Sequence, residues 1–235
     1  MHDAMIFKYT SLPCCCRARG MSIVELSIAV CLVGIAMILT LRGTALIDTM
    51  RAFIVSYQIQ QIQSRVVVYD AEFGALPGDD PAAARRFALP NPVSIMGGAD
   101  VSFTSDGQIN GFLSDSLSPN SEQYMAWRHL RAAGLLDGDP KLAGASAAPE
   151  NPFGGIYGFD EGNLGQKAGS LCLTKVPGRA AEIIDKRLDD GVINKGRVVA
   201  TSKYDPVVAH NHFDAPDSAP YDYEKQYIVC APLLP

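Results

Sequence analysis

Residues 19–41 read RGMSIVELSIAVCLVGIAMILTL, and the interpretation of the whole chain starts from them. From Leu26 to Leu41 there are sixteen residues without a charge. With residues 21–24 added, the apolar stretch reaches about 20 residues, which is enough for a helix to cross a bilayer core. Glu25 interrupts this stretch near its start. A carboxylate inside an apolar segment is costly in lipid, so Glu25 itself indicates a functional role.

One ordinary interpretation is a secretory signal peptide, with a basic region before residue 20 and Leu26–Leu41 as its apolar region. A cut between small residues would then fall after Ala45, with Gly43 at the minus-three position. Glu25 stands directly before the apolar region, and Arg42 lies close to the cut. Both charges speak against this interpretation.

Two further interpretations are a lipoprotein signal and a simple membrane anchor. A lipoprotein cysteine follows the apolar run and has small residues before it. Here Cys14 precedes the run, and Cys31 follows Val30, so neither cysteine fits. A simple anchor explains the basic flank and the apolar run, but it gives Glu25 no role.

A fourth interpretation gives Glu25 a role. Residues Arg19-Gly20 followed by Met21-Ser22-Ile23-Val24-Glu25-Leu26 resemble the prepilin-type signal of type IV pilins and type II secretion pseudopilins. In that family a prepilin peptidase cuts after the glycine, on the cytoplasmic side, and then methylates the new N-terminal amine. The resemblance therefore implies cleavage between Gly20 and Met21 and methylation of Met21. The family usually has Phe at the first mature position, so Met21 departs from the pattern.

The resemblance also implies a way to assemble subunits. Glu25 would lie about 6 Å along the helix from the amine of Met21, and the amine of a neighbouring subunit would neutralise it. The implied partners are prepilin peptidase, other pilin or pseudopilin subunits and an inner-membrane assembly platform. The implied location is the bacterial inner membrane, crossed once with the head domain in the periplasm. From there the subunit would pass into a pilus or pseudopilus, which extends to the cell surface in the pilus case.

The helical pattern continues beyond the apolar stretch. Apolar residues recur mostly at three- and four-residue steps, at Leu46, Met50, Phe53, Tyr57, Ile59, Ile62, Val66, Tyr69 and Phe73. The turn-forming segment 74–81 stops the pattern. These features predict a leader at 1–20, one helix at 21–73 that is transmembrane to about residue 41, and a head domain at 74–235.

The head domain is predicted to be α+β and pilin-like, with the second half of the long helix packed on a small antiparallel sheet. A short helix is predicted at 82–87, an irregular loop at 89–111, and a second helix at 121–133 with Asn120 as its N-cap and Gly134 as its stop. Trp127 is expected in the core. Strands are predicted at 170–176, 196–201 and 226–231.

Cysteine usage bears on the compartment. Only Cys172 and Cys230 belong to the head domain. If the head is exported, the two most simply form a disulfide between neighbouring strands. The alternative is two separate buried thiols, which would fit a cytosolic protein.

The charge of the chain argues against nucleic acid as a partner. The formal net charge is -5, and the first twenty residues are locally basic through Lys8, Arg17 and Arg19. The remainder is therefore more acidic than the whole, whereas phosphate binding needs clustered Lys and Arg.

Carboxylates near the end of the chain are the candidates for a metal. Asp185, Asp189 and Asp190, beside Gly191, offer the oxygen ligands that calcium prefers. The resemblance adds to this, because the major pseudopilins bind calcium in their C-terminal region. The spacing is not that of an EF-hand loop, so we favour the alternative of a solvated acidic turn at a helix end. No metal or other cofactor is predicted as a requirement.

A second group of residues is suited to a transition metal. His210 and His212 lie near Asp214 and Asp217. We favour a polar surface loop instead, because no further ligand stands at a suitable spacing. No Gly-x-Ser-x-Gly elbow or phosphate-binding glycine pattern is present, and the chain is not predicted to be an enzyme. The alternative function is a membrane-anchored periplasmic enzyme or binding module that carries a prepilin-type leader.

Overall fold

The computed structural model describes residues 21–88, 106–111, 113, 121–142, 146–161, 169–203 and 216–234, without the side chains of residues 38–42 and 44. The predicted leader with Gly20 lies outside these residues. The predicted N-cap Asn120 and the candidate ligands His210, His212 and Asp214 lie outside them as well. The chain divides into two compact units, Met1–Gly43 and Thr44–Pro235.

The first element is a long helix, α1, from Ile23 to Phe73. It ends where the sequence predicts, because Gly74 takes a φ of 73° that few other residues adopt, and its amide donates to the Asp70 carbonyl. In the part of the chain whose side chains are described, no helix is both long and apolar enough to cross a membrane. The predicted transmembrane first half is therefore not shown.

The buried face of α1 differs from the predicted stripe. The residues buried in the head core are Ala52, Val55, Ile59, Ile62, Val66 and Tyr69, at steps of three and four. The predicted positions before residue 59 lie on another face, where the side chains of Leu46, Met50, Phe53 and Tyr57 are 41–65% exposed. The reason is the step of two from Tyr57 to Ile59, which turns about 200° around a helix. The predicted stripe joined two different faces.

Two more helices precede the sheet. The short α2 spans Ala83–Arg86, and α3 spans Glu122–Ala132. The N-cap of α3 is Ser121 and not the predicted Asn120, because the Ser121 hydroxyl accepts a hydrogen bond from the Tyr124 amide at 3.1 Å. Gly134, with a φ of 72°, follows the end of α3 as predicted.

The sheet has four antiparallel strands in the order β1-β2-β4-β3. Their bounds are Tyr157–Asp160 for β1, Ser170–Pro177 for β2, Val199–Thr201 for β3 and Gln226–Pro232 for β4, and α4 spans Gly178–Leu188 between β2 and β3. The fold is thus α+β with a small antiparallel sheet, as predicted. The sequence analysis missed β1, and it implied a helix end near Asp185 without predicting the bounds of α4.

The core lies between the sheet, α3 and the buried face of α1. Trp127 of α3 is fully buried and stacks on Phe159 of β1, with ring centroids 4.4 Å apart, which confirms its predicted core position. The predicted disulfide between Cys172 and Cys230 is present. The two cysteines are direct cross-strand partners on β2 and β4, so the bridge joins the two central strands of the sheet.

Candidate functional site

The first candidate is the start of α1. Every side chain from Met21 to Met37 is exposed, and most of them are large and apolar. Ile23 is the most exposed of these, at 86%. Apolar side chains around a whole helix favour a covered environment over water.

Glu25 is the one charged residue in this segment. It lies in the first turn of α1, where a carboxylate is stabilised by the positive end of the helix dipole. Within the described part of the chain, its carboxylate makes no hydrogen bond or ion pair. Glu25 therefore presents an unpaired negative charge on an apolar surface, which suits pairing with a cation from outside this chain.

The second candidate is the cluster of Asp185, Asp189 and Asp190 at the end of α4. Each carboxylate contributes one oxygen to a group whose atoms lie within 4.8 Å of one another. Asp185 is fully buried and accepts hydrogen bonds from the Gly191 amide at 3.1 Å and the Tyr221 hydroxyl at 2.7 Å. Burial raises the pKa of Asp185, and these two hydrogen bonds oppose the rise.

The other two carboxylates of this cluster also receive backbone amides. Asp189 accepts from the amides of Arg197 and Val198, and Asp190 accepts from the Val192 amide at 2.8 Å. These bonds close the turn after α4. The sequence favoured a solvated acidic turn here, but Asp185 is fully buried. The cluster brings together the three predicted calcium ligands, but nothing in its bonding requires a cation. Calcium binding stays a prediction from the resemblance.

The third candidate is a groove of about 560 Å³ beside α1 in the head. Its described lining consists of Gln60, Gln63, Ser64, Val67, Val68, Leu188, Arg197, Val198, Ala231 and Pro232. Two lining residues are bonded to each other, since the Gln63 amide donates to the Pro232 carbonyl at 2.7 Å. The groove offers apolar surface, amides and one guanidinium, so it is suited to contact rather than to chemistry.

The fourth candidate is a buried polar junction between the 76–80 turn and α3. The Gly78 amide donates to Nδ1 of His129 at 3.0 Å, and His129 is 2% exposed. Because Nδ1 accepts a hydrogen bond, the neutral ring carries its proton on Nε2. Burial lowers the pKa of His129 to about 4, against the opposing charge of Asp80 and with a smaller lowering by Arg128, so the ring is neutral near pH 7.

Glu122 of α3 belongs to the same junction. Its carboxylate accepts from the Asn110 amide at 2.7 Å and is nearly buried. Burial raises its pKa to about 7, and the neighbouring charges of Asp79 and Asp106 add to the rise. Asp79 is fully buried and accepts from the Gly107 amide at 2.8 Å, and burial raises its pKa too.

Asp80 carries the remaining charge of the turn. It accepts from the Tyr69 hydroxyl at 2.8 Å and pairs with Arg86 at 2.5 Å. Burial acts to raise its pKa, but these two partners hold the pKa below its usual range. Burial of the phenol, and then its hydrogen bond to Asp80, raise the pKa of Tyr69. Asp80 therefore fixes the turn to the end of α1.

Sequence reasoning missed the junction. The turn-forming segment around Gly78 was recognised, but its partners lie far along the chain, with 51 positions separating Gly78 from His129. The one available signal was the pair of carboxylates, Asp79 and Asp80, directly after a turn glycine. Comparisons with protein-family models, curated proteins and solved structures found no match.

Proposed function

We propose that this chain is a structural filament subunit of the pilin or pseudopilin type, which a prepilin peptidase processes and which assembles through its N-terminal helix. The observation that carries the proposal is the start of α1. There an apolar surface with a single carboxylate, Glu25, belongs to a helix whose later residues are buried in the core of an α+β head.

Two physical arguments support the proposal. An apolar surface of this extent needs lipid or another protein to cover it, and a filament subunit uses each in turn. A lone carboxylate on that surface is unfavourable unless a cation pairs with it, and the new amine of a cleaved neighbour would supply one. An enzyme or binding module on a plain anchor has no use for Glu25.

The proposal includes a location and partners. Before assembly the first half of the helix would cross the bacterial inner membrane once, with the head in the periplasm, and the assembly platform would extract it. The disulfide agrees with an exported head, since such bonds persist in oxidising compartments. The type of filament is left open between a type IV pilus and a type II secretion pseudopilus.

The first test concerns the leader. Expressed together with a prepilin peptidase, the chain is expected to begin at Met21, and without the peptidase it should keep residues 1–20. Intact mass and N-terminal sequencing of the purified chain measure this. Gly20→Val should block the cut, because the peptidase active site would then face a branched side chain. A mature chain that begins at Leu46 would establish a conventional signal peptide and refute the leader.

The second test concerns assembly. Glu25→Gln keeps the shape of the side chain but removes its charge, and we expect filament incorporation to fall at least tenfold while cleavage and membrane insertion continue. Ser27→Ala, on the same exposed stretch, is the matched control and should assemble normally. Sheared filament fractions probed for the head domain measure incorporation. Normal assembly of Glu25→Gln would remove the charge-pairing role, and failure of the unmutated chain to assemble would favour the anchored binding module.

A further inference from the structure

Loop 106–111 is fastened to the head by carboxylates from three directions. The Gly107 amide donates to Asp79 of the 76–80 turn at 2.8 Å, and the Asn110 amide donates to Glu122 of α3 at 2.7 Å. The Gly111 amide donates to Glu161, directly after β1, at 3.0 Å. Between these points Ile109 is fully buried in the main core. The loop thus depends on acidic acceptors and one apolar anchor.

No cation of the described chain pairs with the Glu122 carboxylate. The charged groups that face it are Asp79 from the turn and Asp106 from the loop itself, and both repel it. When the loop is closed, the Glu122 carboxyl is nearly buried beside these charges. An open loop would let water reach the carboxyl and stabilise its charged form.

We propose that loop 106–111 is a pH-responsive latch, held closed when the Glu122 carboxyl is protonated and released when it ionises. The direction follows from linkage. Burial raises the pKa of Glu122 to about 7 in the closed state, above its usual value of 4.5. A group that binds its proton more tightly in the closed state favours closure in acid, and this contribution is lost as the pH rises through about 7.

The hydrogen bonds from Asn110 favour the ionised carboxyl and lower its pKa, but burial outweighs them. A neutral carboxyl also satisfies the geometry of the closed loop. Its carbonyl oxygen still accepts the Asn110 amide, and it no longer repels Asp79 and Asp106. The latch is independent of the proposed filament function, because it rests on contacts within the head. It would adjust the exposure of the loop and of Ile109 to the acidity of the surroundings.

Amide hydrogen exchange on the full chain in a nonionic detergent tests the latch. After correction for intrinsic exchange, protection of the Gly107 and Asn110 amides is expected to fall about tenfold between pH 5.5 and pH 7.5. The β2 amides of the same sample serve as the reference for global unfolding and should change less. Equal protection of the loop at both pH values would overturn the proposal.

Three variants locate the effect. Glu122→Gln, which mimics the protonated carboxyl, should keep the loop protected at both pH values. Asp106→Asn removes one exposed repelling charge, keeps an oxygen for the Gln108 amide and loses the bond from the Asn110 side chain. It should move the midpoint of the loop transition to lower pH. Glu224→Gln, the same substitution at an exposed position of the head, should behave as the unmutated chain. An unchanged pH dependence in Glu122→Gln, or an unmoved midpoint in Asp106→Asn, would refute Glu122 as the titrating group.

Discussion

Replacing Cys172 by Ser is expected to lower the free energy of unfolding of the head by about 4 kcal/mol. The disulfide to Cys230 closes a loop with a sequence separation of 58, and the chain-entropy relation gives this value for a loop of that length. Trp127 is the only tryptophan and is fully buried, so its fluorescence during guanidinium denaturation reports the unfolding of the head. The measurement is the shift of the denaturation midpoint.

The free cysteine of the described chain, Cys31, supplies the control for the disulfide. Cys31 is an exposed free thiol on α1, and Cys31→Ser should leave the midpoint unchanged. Reduced unmutated protein should approach the midpoint of Cys172→Ser, because both lack the same cross-link. If Cys172→Ser unfolds at the midpoint of the oxidised unmutated protein, the bridge does not constrain the unfolded chain, and the entropic argument fails.

The sequence predicted the elements with strong local signals. The end of α1 at Phe73 follows from a glycine with positive φ and the turn-forming residues after it. The three strands β2, β3 and β4 follow from their apolar and β-branched residues. β1 was missed because it has four residues and contains a glycine, which weakens a strand signal. Short elements are selected by their partners across the sheet, and a single sequence does not display those partners.

The candidate sites differ in how far apart their residues lie in the sequence. The sequence predicted one group of carboxylates because its members lie within six consecutive positions, at Asp185, Asp189 and Asp190. The junction between Gly78 and His129 was not predicted, because burial decides it, and burial results from packing elements that are distant in sequence. The same holds for Glu122, whose unusual environment comes from the approach of loop 106–111. From the helical pattern alone, Glu122 would be an ordinary acidic residue in the first turn of α3.

The head is expected to respond to pH through two buried groups of α3 with opposite effects. His129 has a pKa lowered to about 4. Its contribution to the stability of the folded head is complete above pH 6.5 and is lost as the pH falls through about 4. Glu122 has a pKa raised to about 7, so its contribution is complete below 4.5 and is lost as the pH rises through about 7. Between pH 7.5 and pH 4.5 each changes the free energy of unfolding by roughly 2–3 kcal/mol, and for Glu122 this is the value with loop 106–111 closed. In the unmutated protein the two changes nearly cancel.

Single variants separate the contributions of His129 and Glu122 to the free energy of unfolding. His129→Asn places an amide oxygen where Nδ1 accepts the Gly78 amide, and its free energy of unfolding should rise by roughly 2–3 kcal/mol on acidification, relative to the change in the unmutated protein. Glu122→Gln should show a fall of the same size. Comparing each protein with itself at pH 7.5 and pH 4.5 cancels any cavity left by the substitution, and differences from the unmutated protein cancel the other titrating groups.

The double variant decides whether the two groups act independently. If they do, His129→Asn with Glu122→Gln should restore the pH response of the unmutated protein, since the two opposite terms are both absent. Single variants that follow the unmutated protein at both pH values would show that water reaches both side chains in the folded head. Single variants with the expected slopes and a double variant without cancellation would show coupling through α3, because Glu122 and His129 lie two helical turns apart on it.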